Sequence, residues 1–422
     1  MTIEELLGEI AATPTAYHAA ARIRARLEEA GYEEAGETLL PGKNYFVPLY
    51  GSALAAFRLP EKTPDGFVIA AAHADSPCFR IRDAAELPGG PYLSLSAERY
   101  GGMIHESWLD LPLSVAGRVF CRAGHGVEAR LVDFRRDTAL IPRVAIHLNH
   151  EANNGAKADP ARDLIPLYGL SSSAGSFGEE LAREAGVARE EIVSTDLFLY
   201  NRRAGTVWGA RGEFFSAPRL DDLACVYTCL EAFLTAKPAA CVPVLAVFDN
   251  EEIGSLTKQG AMSAFLPGLL SRIAAAYGAP LSRLLASSLA LSCDNGHARH
   301  PNRPELADRS EAPVLGGGPV VKHSPRYATD GLSAALFTEV CRRRGIPCQN
   351  YSNRPDQPGG STIGNMLSAF TPVSAADIGI AQLAMHSAYE TAAVADVCSF
   401  TDAVRACYET SFAISGSSAE IL

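Results

Sequence analysis

The chain has no Cys-x-x-Cys pair, no apolar run as long as a transmembrane helix, no surplus of basic residues, and no internal repeat or low-complexity segment. Each absence removes a class of protein. The ten cysteines are scattered, several of them inside apolar runs such as Cys225 and Cys229. They read as buried thiols in a reducing compartment, with neither a disulfide framework nor a cysteine-type zinc module. A formal charge of −11 argues against nucleic-acid partners, which call for a basic face. Without about 20 consecutive apolar residues, no membrane partner is expected. The segment Met1-Thr2-Ile3-Glu4-Glu5 is acidic and lacks the basic and apolar regions of a signal peptide, so the cytoplasm is the expected location. The tail Ser415-Gly416-Ser417-Ser418 is small and polar, and is expected to be mobile.

What is present is a chain of 422 residues, 47% of them hydrophobic, long enough for a large core and two domains. Residues 3–30 carry helical periodicity (Ile3, Leu6, Leu7 and Ile10, then Ala19, Ile23 and Leu27), and a buried strand follows before His73. From about Leu87 to Phe215 the pattern changes to short β-like runs (Ser114–Val119, Val144–Leu148, Leu197–Asn201) and many turns. After Arg219 a long apolar helix and strand–helix alternation resume. The expected fold is α/β: a mixed central sheet flanked by helices, residues 1–85 plus 216–422, interrupted by a β-rich insert over 86–215.

Chemistry-bearing residues recur at the ends of apolar runs. Val242–Phe248 closes on Asp249-Asn250-Glu251-Glu252, where one of two adjacent carboxylates can bind a metal while its neighbour carries a proton. Phe67–Ala72 runs into His73-Ala74-Asp75, placing an imidazole and a carboxylate on one face of an extended segment, so that Asp75 can hold the ring of His73. Ser288–Ser292 delivers Cys293-Asp294-Asn295-Gly296-His297, and Asp377–Ala381 leads on to His386. Asp221 and Asp222 stand where a loop enters the long helix. Each has an ordinary structural explanation alone: acids suit helix starts, and a lone buried histidine is often only hydrogen-bonded. Together they form a mixed N/O donor set at one edge of an α/β sheet, which suits zinc, cobalt or manganese better than calcium.

The runs His73-Ala-Asp-Ser-Pro-Cys78, Arg219-Leu-Asp-Asp-Leu223, Asp249-Asn-Glu-Glu-Ile-Gly-Ser255, Cys293-Asp-Asn-Gly-His-Ala-Arg-His-Pro-Asn302 and Gln382-Leu-Ala-Met-His-Ser387 closely resemble the aspartyl aminopeptidase family, the aminopeptidase I group of dizinc exopeptidases. The resemblance runs from the N-terminal helix to Glu390. It implies two divalent metals per subunit, zinc first and manganese or cobalt as alternatives. Asp221 would bridge them, His73 and Asp294 would complete one site, and Glu252 and His386 the other. It also implies Glu251 as general base and Asp75 as the carboxylate behind His73. His147 would reach a neighbouring subunit's substrate as an oxyanion donor. Lys322, His297 and Gly360 would meet substrate, with Lys322 receiving an acidic side chain. The expected substrates are short peptides with a free N-terminus. The insert would drive dimerisation and assembly to a homododecamer. Three departures from the family's wording, Asp222 for Asn, Asn295-Gly296 for Met-Ala, and Gly359-Gly360-Ser361-Thr362 for Cys-Gly-Thr-Thr, bear on selectivity more than on chemistry.

Overall fold

The computed structural model describes residues 1–422 apart from 156, 173, 174, 239 and 358. The chain forms two compact units. One comprises Met1–Asp75, Gly205–Met385 and Glu390–Leu422; the other comprises Ser76–Ala204 with His386–Tyr389. The chain leaves the first unit at Asp75 and re-enters it at Gly205, earlier on both counts than the sequence pattern suggests.

The first unit is built on nine strands in the order Glu33–Glu34, Asn44–Leu49, Ala53–Arg58, Val242–Phe248, Phe67–His73, Leu289–Cys293, Ser374–Gly379, Val320–His323, Gln349–Ser352. The four strands from Val242–Phe248 to Ser374–Gly379 run parallel to one another. Every residue of Phe67–His73 and Val242–Phe248 is buried. The reason is that helices cover both faces. Val68, Ala70 and Ala72 pack into the same core as helices Leu220–Thr235 and Val394–Tyr408, while Phe67, Ile69 and Ala71 pack with helix Phe265–Ala276. Strand period 2 is thus hidden in the sequence as unbroken apolar runs.

Three differences from expectation have simple causes. The N-terminal region is two helices, Ile3–Ala12 and Ala16–Glu29, broken at Thr13-Pro14-Thr15. Proline has no N–H to give the helix and biases Thr13 away from helical geometry, and Thr13 indeed sits at φ −126°, ψ 74°. A hairpin, Asn44–Leu49 with Ala53–Arg58, precedes the strand that ends at His73. The C-terminal tail is a second hairpin rather than a mobile segment: Phe412–Ser415 pairs with Ser418–Ile421, and Ile414, Ala419 and Ile421 pack against the core. The apolar residues flanking the small polar turn supply the burial that the turn itself lacks. A five-stranded sheet, Thr206–Trp208, Phe214–Ala217, Glu390–Ala393, Ala381–Leu383 and Gly296–His297, completes the unit.

The second unit is a seven-stranded antiparallel sheet in the order Ile192–Tyr200, Cys78–Gly89, Tyr92–Tyr100, Leu167–Leu170, Ala139–Leu140, Pro112–Ala123, Gly126–Asp133. Ile192–Tyr200 also pairs with Pro112–Ala123, which closes the sheet on itself. Helix Phe177–Ala185 packs its Phe177 and Leu181 into the same core. The expected strand at Val144–Leu148 is absent. The segment turns instead, with Leu148 N–H and Asn149 N–H donating to the Ala145 carbonyl. Val144, Ile146 and Leu148 are 49%, 47% and 82% exposed, so their alternation has no core to face. No helix among the described residues is long and apolar enough to cross a membrane.

Candidate metal centre

In the parallel part of the sheet Phe248 is in register with His73, so the acids that follow Phe248 emerge beside the imidazole. Asp294 leaves the next strand over, Leu289–Cys293. This is the carboxyl edge of the sheet, where α/β proteins gather ligands.

His73 is 1% exposed. Its Nδ1 lies 3.1 Å from the Asp75 carbonyl oxygen and 3.4 Å from Asp75 Oδ1. Both oxygens accept, so Nδ1 carries a proton and Nε2 is the nitrogen left for a metal. Nε2 points at Asp221, 3.7 Å from Oδ1. Ligand atoms of His73, Asp221 and Asp294 all lie within 4.8 Å of one another, and so do those of His73, Glu251 and Glu252. Burial disfavours charge on His73, but its hydrogen bond to Asp75 and the charges of Asp222 and Glu251 outweigh it and raise its pKa well above the usual range.

Asp75 does more than orient the ring. Its two carboxylate oxygens accept the backbone N–H groups of Glu251 and Glu252, each at 3.1 Å. One side chain therefore fixes both the histidine and the turn bearing the paired glutamates. That turn, Glu251–Ile253, is flanked by Asn250 at φ 63° and Gly254 at φ 97°. Burial, reinforced by Asp294, Asp75 and Asp221 and opposed by His73, pushes Glu251 up to about 7.

Asp221 and Asp222 sit in a non-helical kink at the start of Leu220–Thr235, joined by a cis peptide. Asp222 is fully buried, and its Oδ2 accepts the His73 N–H at 3.3 Å. Three residues to which the motifs gave no such part hold this kink. Glu390 Oε2 accepts the Asp221 N–H at 3.1 Å, and Gln382 reaches Glu390 Oε1 at 3.4 Å. Asn295 Nδ2 donates to Gln382 Oε1 and to the Leu220 carbonyl, both at 2.8 Å. Their signal in the sequence is polar residues within or beside apolar strands, Asn295-Gly296 in particular.

Lys322 is 2% exposed and wholly engaged with the cluster: Nζ donates to the Asn295 carbonyl at 3.0 Å and stands 3.3 Å from Asp294 Oδ2. It is not a solvated lysine. Burial works against its charge, yet Asp294 and the surrounding acids hold it above the usual ammonium range. His297 is exposed and lines a cavity of about 370 Å³ with Tyr351, Gly359 and Gln382. Gly360 is exposed, with open space where a Cβ would stand. His147 lies exposed in the turn of the second unit. His386, grouped with that unit, donates Nδ1–H to the Gly102 carbonyl, which likewise leaves Nε2 as the nitrogen without the proton.

The donor set fits zinc. Asp222, Asp294 and Glu251 all have raised pKa values with burial as the first cause, the mark of negative charge gathered without enough compensation. A divalent cation supplies that compensation, and imidazole with carboxylate oxygens is a zinc-type donor set. Asp294 is also held from behind, because a Cβ on Gly379 would lie 2.0 Å from the Asp294 carbonyl oxygen. Gly379→Ala is therefore expected to cost about 1–3 kcal/mol of stability and to lower bound zinc, measured by thermal unfolding and elemental analysis.

A buried imidazole on one strand end, with paired glutamates on the next and buried carboxylates beside them, is the make-up of a metallohydrolase. Comparison with known proteins narrows this class. The sequence model of the aminopeptidase I zinc metalloprotease (M18) family matches residues 10–408. The probable M18 family aminopeptidase 2 of Clostridium acetobutylicum is 39% identical over 413 residues, covering 93% of this chain and 95% of that protein. Among solved structures, Ape4 in complex with Nbr1 superposes with a TM-score of 0.92 at 30% identity, over 96% of this chain and 85% of that one. The S. cerevisiae mApe1 dodecamer gives 0.83 at 25% identity, over 96% and 97%. The chain belongs to the M18 family of zinc metallo-aminopeptidases.

Proposed function

We propose that the protein removes the N-terminal residue of short peptides, with a preference for Asp or Glu, at a two-zinc centre. By the family resemblance Asp221 would be shared between the metals, His73 and Asp294 would help hold one, and Glu252 and His386 would help hold the other. The observation that carries this reading is the meeting of His73, Asp221 and Asp294 beside a glutamate pair whose backbone is tied to Asp75. A zinc pair supplies Lewis acidity toward water and toward the scissile carbonyl. Glu251 takes the proton of the attacking water and delivers it to the departing amine; a bound cation would favour its carboxylate, the form that accepts the proton. Glu252, one residue on, keeps its carboxylate for the metal. The free α-amine of the substrate, unlike an amide nitrogen, has a lone pair to offer, and this restricts cleavage to the chain end.

His147, exposed beside uncovered Val144, Ile146 and Leu148, is the residue offered to a neighbouring subunit as oxyanion donor. Self-association, as in the mApe1 dodecamer, is part of the proposal, with the insert unit as its dimerisation element. Lys322 is the group assigned to an acidic side chain, and His297 and Gly360 are assigned to substrate contact. A panel of Asp-, Glu-, Leu- and Lys-terminated substrates tests the preference, and equal kcat/KM for Asp and Leu would sink it. Lys322→Met is expected to lower kcat/KM for Asp substrates about 10- to 150-fold more than for Leu, since a charge-assisted contact is worth roughly 1.5–3 kcal/mol. A uniform loss together with lost zinc would instead make Lys322 only the holder of Asp294.

A further inference from the structure

The strand Gly126–Asp133 ends the strand order of the second unit and, among the described residues, pairs on one side only, with residues 116–123. Residues 126–131 are all exposed. The register Ala116↔Asp133 continues as a hydrogen bond from Phe134 N–H to the Val115 carbonyl, at 2.9 Å. In an antiparallel ladder inward-bonding residues alternate. Residues 128, 130 and 132 therefore bond inward with 134, and Val127, Ala129 and Leu131 turn their N–H and C=O groups to the open edge. Their side chains lie on the face opposite Val132, which is buried, and Arg130, whose Nη1 reaches the Ala185 carbonyl at 3.4 Å. Val127 and Leu131 are 60% and 45% exposed. An open edge with an apolar face calls for a cover.

The residue order says what covers it. Val127-Glu128-Ala129-Arg130-Leu131 is self-complementary: laid antiparallel on its own copy, apolar meets apolar, acid meets base, and small meets small. We propose that this strand pairs antiparallel with the same strand of a second copy, about a two-fold axis at Ala129. Val127 then faces Leu131 of the partner subunit, and Glu128 faces Arg130 of the partner subunit. The outward backbone groups of 127, 129 and 131 meet one another, so the ladder is complete. Sliding the copies by two residues either way sets Glu128 against its own copy or Arg130 against its own copy, and like charges directly opposed are unfavourable. A one-residue slip mismatches the backbone groups. In the single chain Arg130 bonds Glu128 from Nε and Nη2 at 2.9 and 2.7 Å, so association exchanges one partner for an equivalent one. The isologous contact is what a closed dimer requires. It rests on the edge strand and not on the peptidase reading, and it gives the proposed self-association a particular surface.

Sedimentation velocity of the zinc-loaded full chain tests it. Glu128→Arg alone and Arg130→Glu alone each oppose two like-charged pairs, and each is expected to weaken dimerisation about 10- to 100-fold. An equimolar mixture of the two variants is expected to recover, because every cross-strand pair is then opposite in charge. The pair within each chain stays broken in that mixture, so recovery has no explanation inside one subunit. Ala129→Cys should crosslink to itself on mild oxidation, since directly opposed residues lie about 5.5 Å apart and that span suits a disulfide; the wild type, with its exposed Cys398, is the control. Wild-type association in both single variants would overturn the strand contact while leaving self-association intact. A monomeric wild type at all concentrations would overturn both.

Discussion

Glu251→Gln is expected to lower kcat by about 10²–10⁴-fold while leaving zinc bound. The amide copies the shape of the carboxylate but cannot accept the proton of the attacking water. Nothing else at the site should move, because the turn is held through the Glu251 and Glu252 backbone N–H groups on Asp75, which the substitution does not touch. Unfolding should stay within about 0.5 kcal/mol of the parent, and KM should change little. Glu252→Gln should do the reverse: zinc content falls, and activity falls with it. The pH profile gives an independent sign. A base works deprotonated, so kcat should rise with pH along an acid limb. With Glu251 at about 7 before a cation is present, and a bound cation favouring the carboxylate, that limb should lie at or below about 7. The limb should vanish in Glu251→Gln. If that variant retained full kcat, the base would lie elsewhere, and the paired-glutamate division of labour would be wrong.

Removing the metal is expected to have the largest effect, the loss of all measurable turnover, with recovery on adding back zinc. Stability should fall in parallel. His73, Asp221, Asp222 and Asp294 are buried together, and without a cation the repulsion among the carboxylates and the lost solvation of the group are borne by the fold. A ligand held at a thousand times its Kd contributes about 4 kcal/mol to unfolding, so the apoprotein should melt well below the loaded protein. The metal-free His73 pKa is raised, so zinc must displace a proton from it, and affinity should increase with pH. Chelation at mildly acid pH should therefore strip the protein faster than at pH 8. A stripped protein that kept its melting temperature would place the zinc away from these side chains.

The central sheet was legible in the sequence because parallel strands covered on both faces read as unbroken apolar runs, and the ends of those runs carried His73, Asp294 and the glutamates. Asp75 was legible only in part. Spacing put it beside His73, but its hold on the Glu251–Glu252 backbone joins positions 176 and 177 residues apart, which no local pattern records. The hold of Glu390, Gln382 and Asn295 on the Asp221 kink was missed for the same reason. Lys322 was ambiguous until its burial and its contact with Asp294 were visible. The Val144–Leu148 run failed because alternation signals a strand only where a neighbour exists to pair with it. The C-terminal hairpin was missed because its small polar turn was weighed without the apolar residues on either side.

Zinc-edge anomalous diffraction from crystals of active protein tests the central claim most directly. Two peaks are predicted: one coordinated by His73, Asp221 and Asp294, the other by Asp221, Glu252 and His386. Active crystals with no zinc peak at His73, Asp221 and Asp294, or with zinc bound only elsewhere, would contradict it.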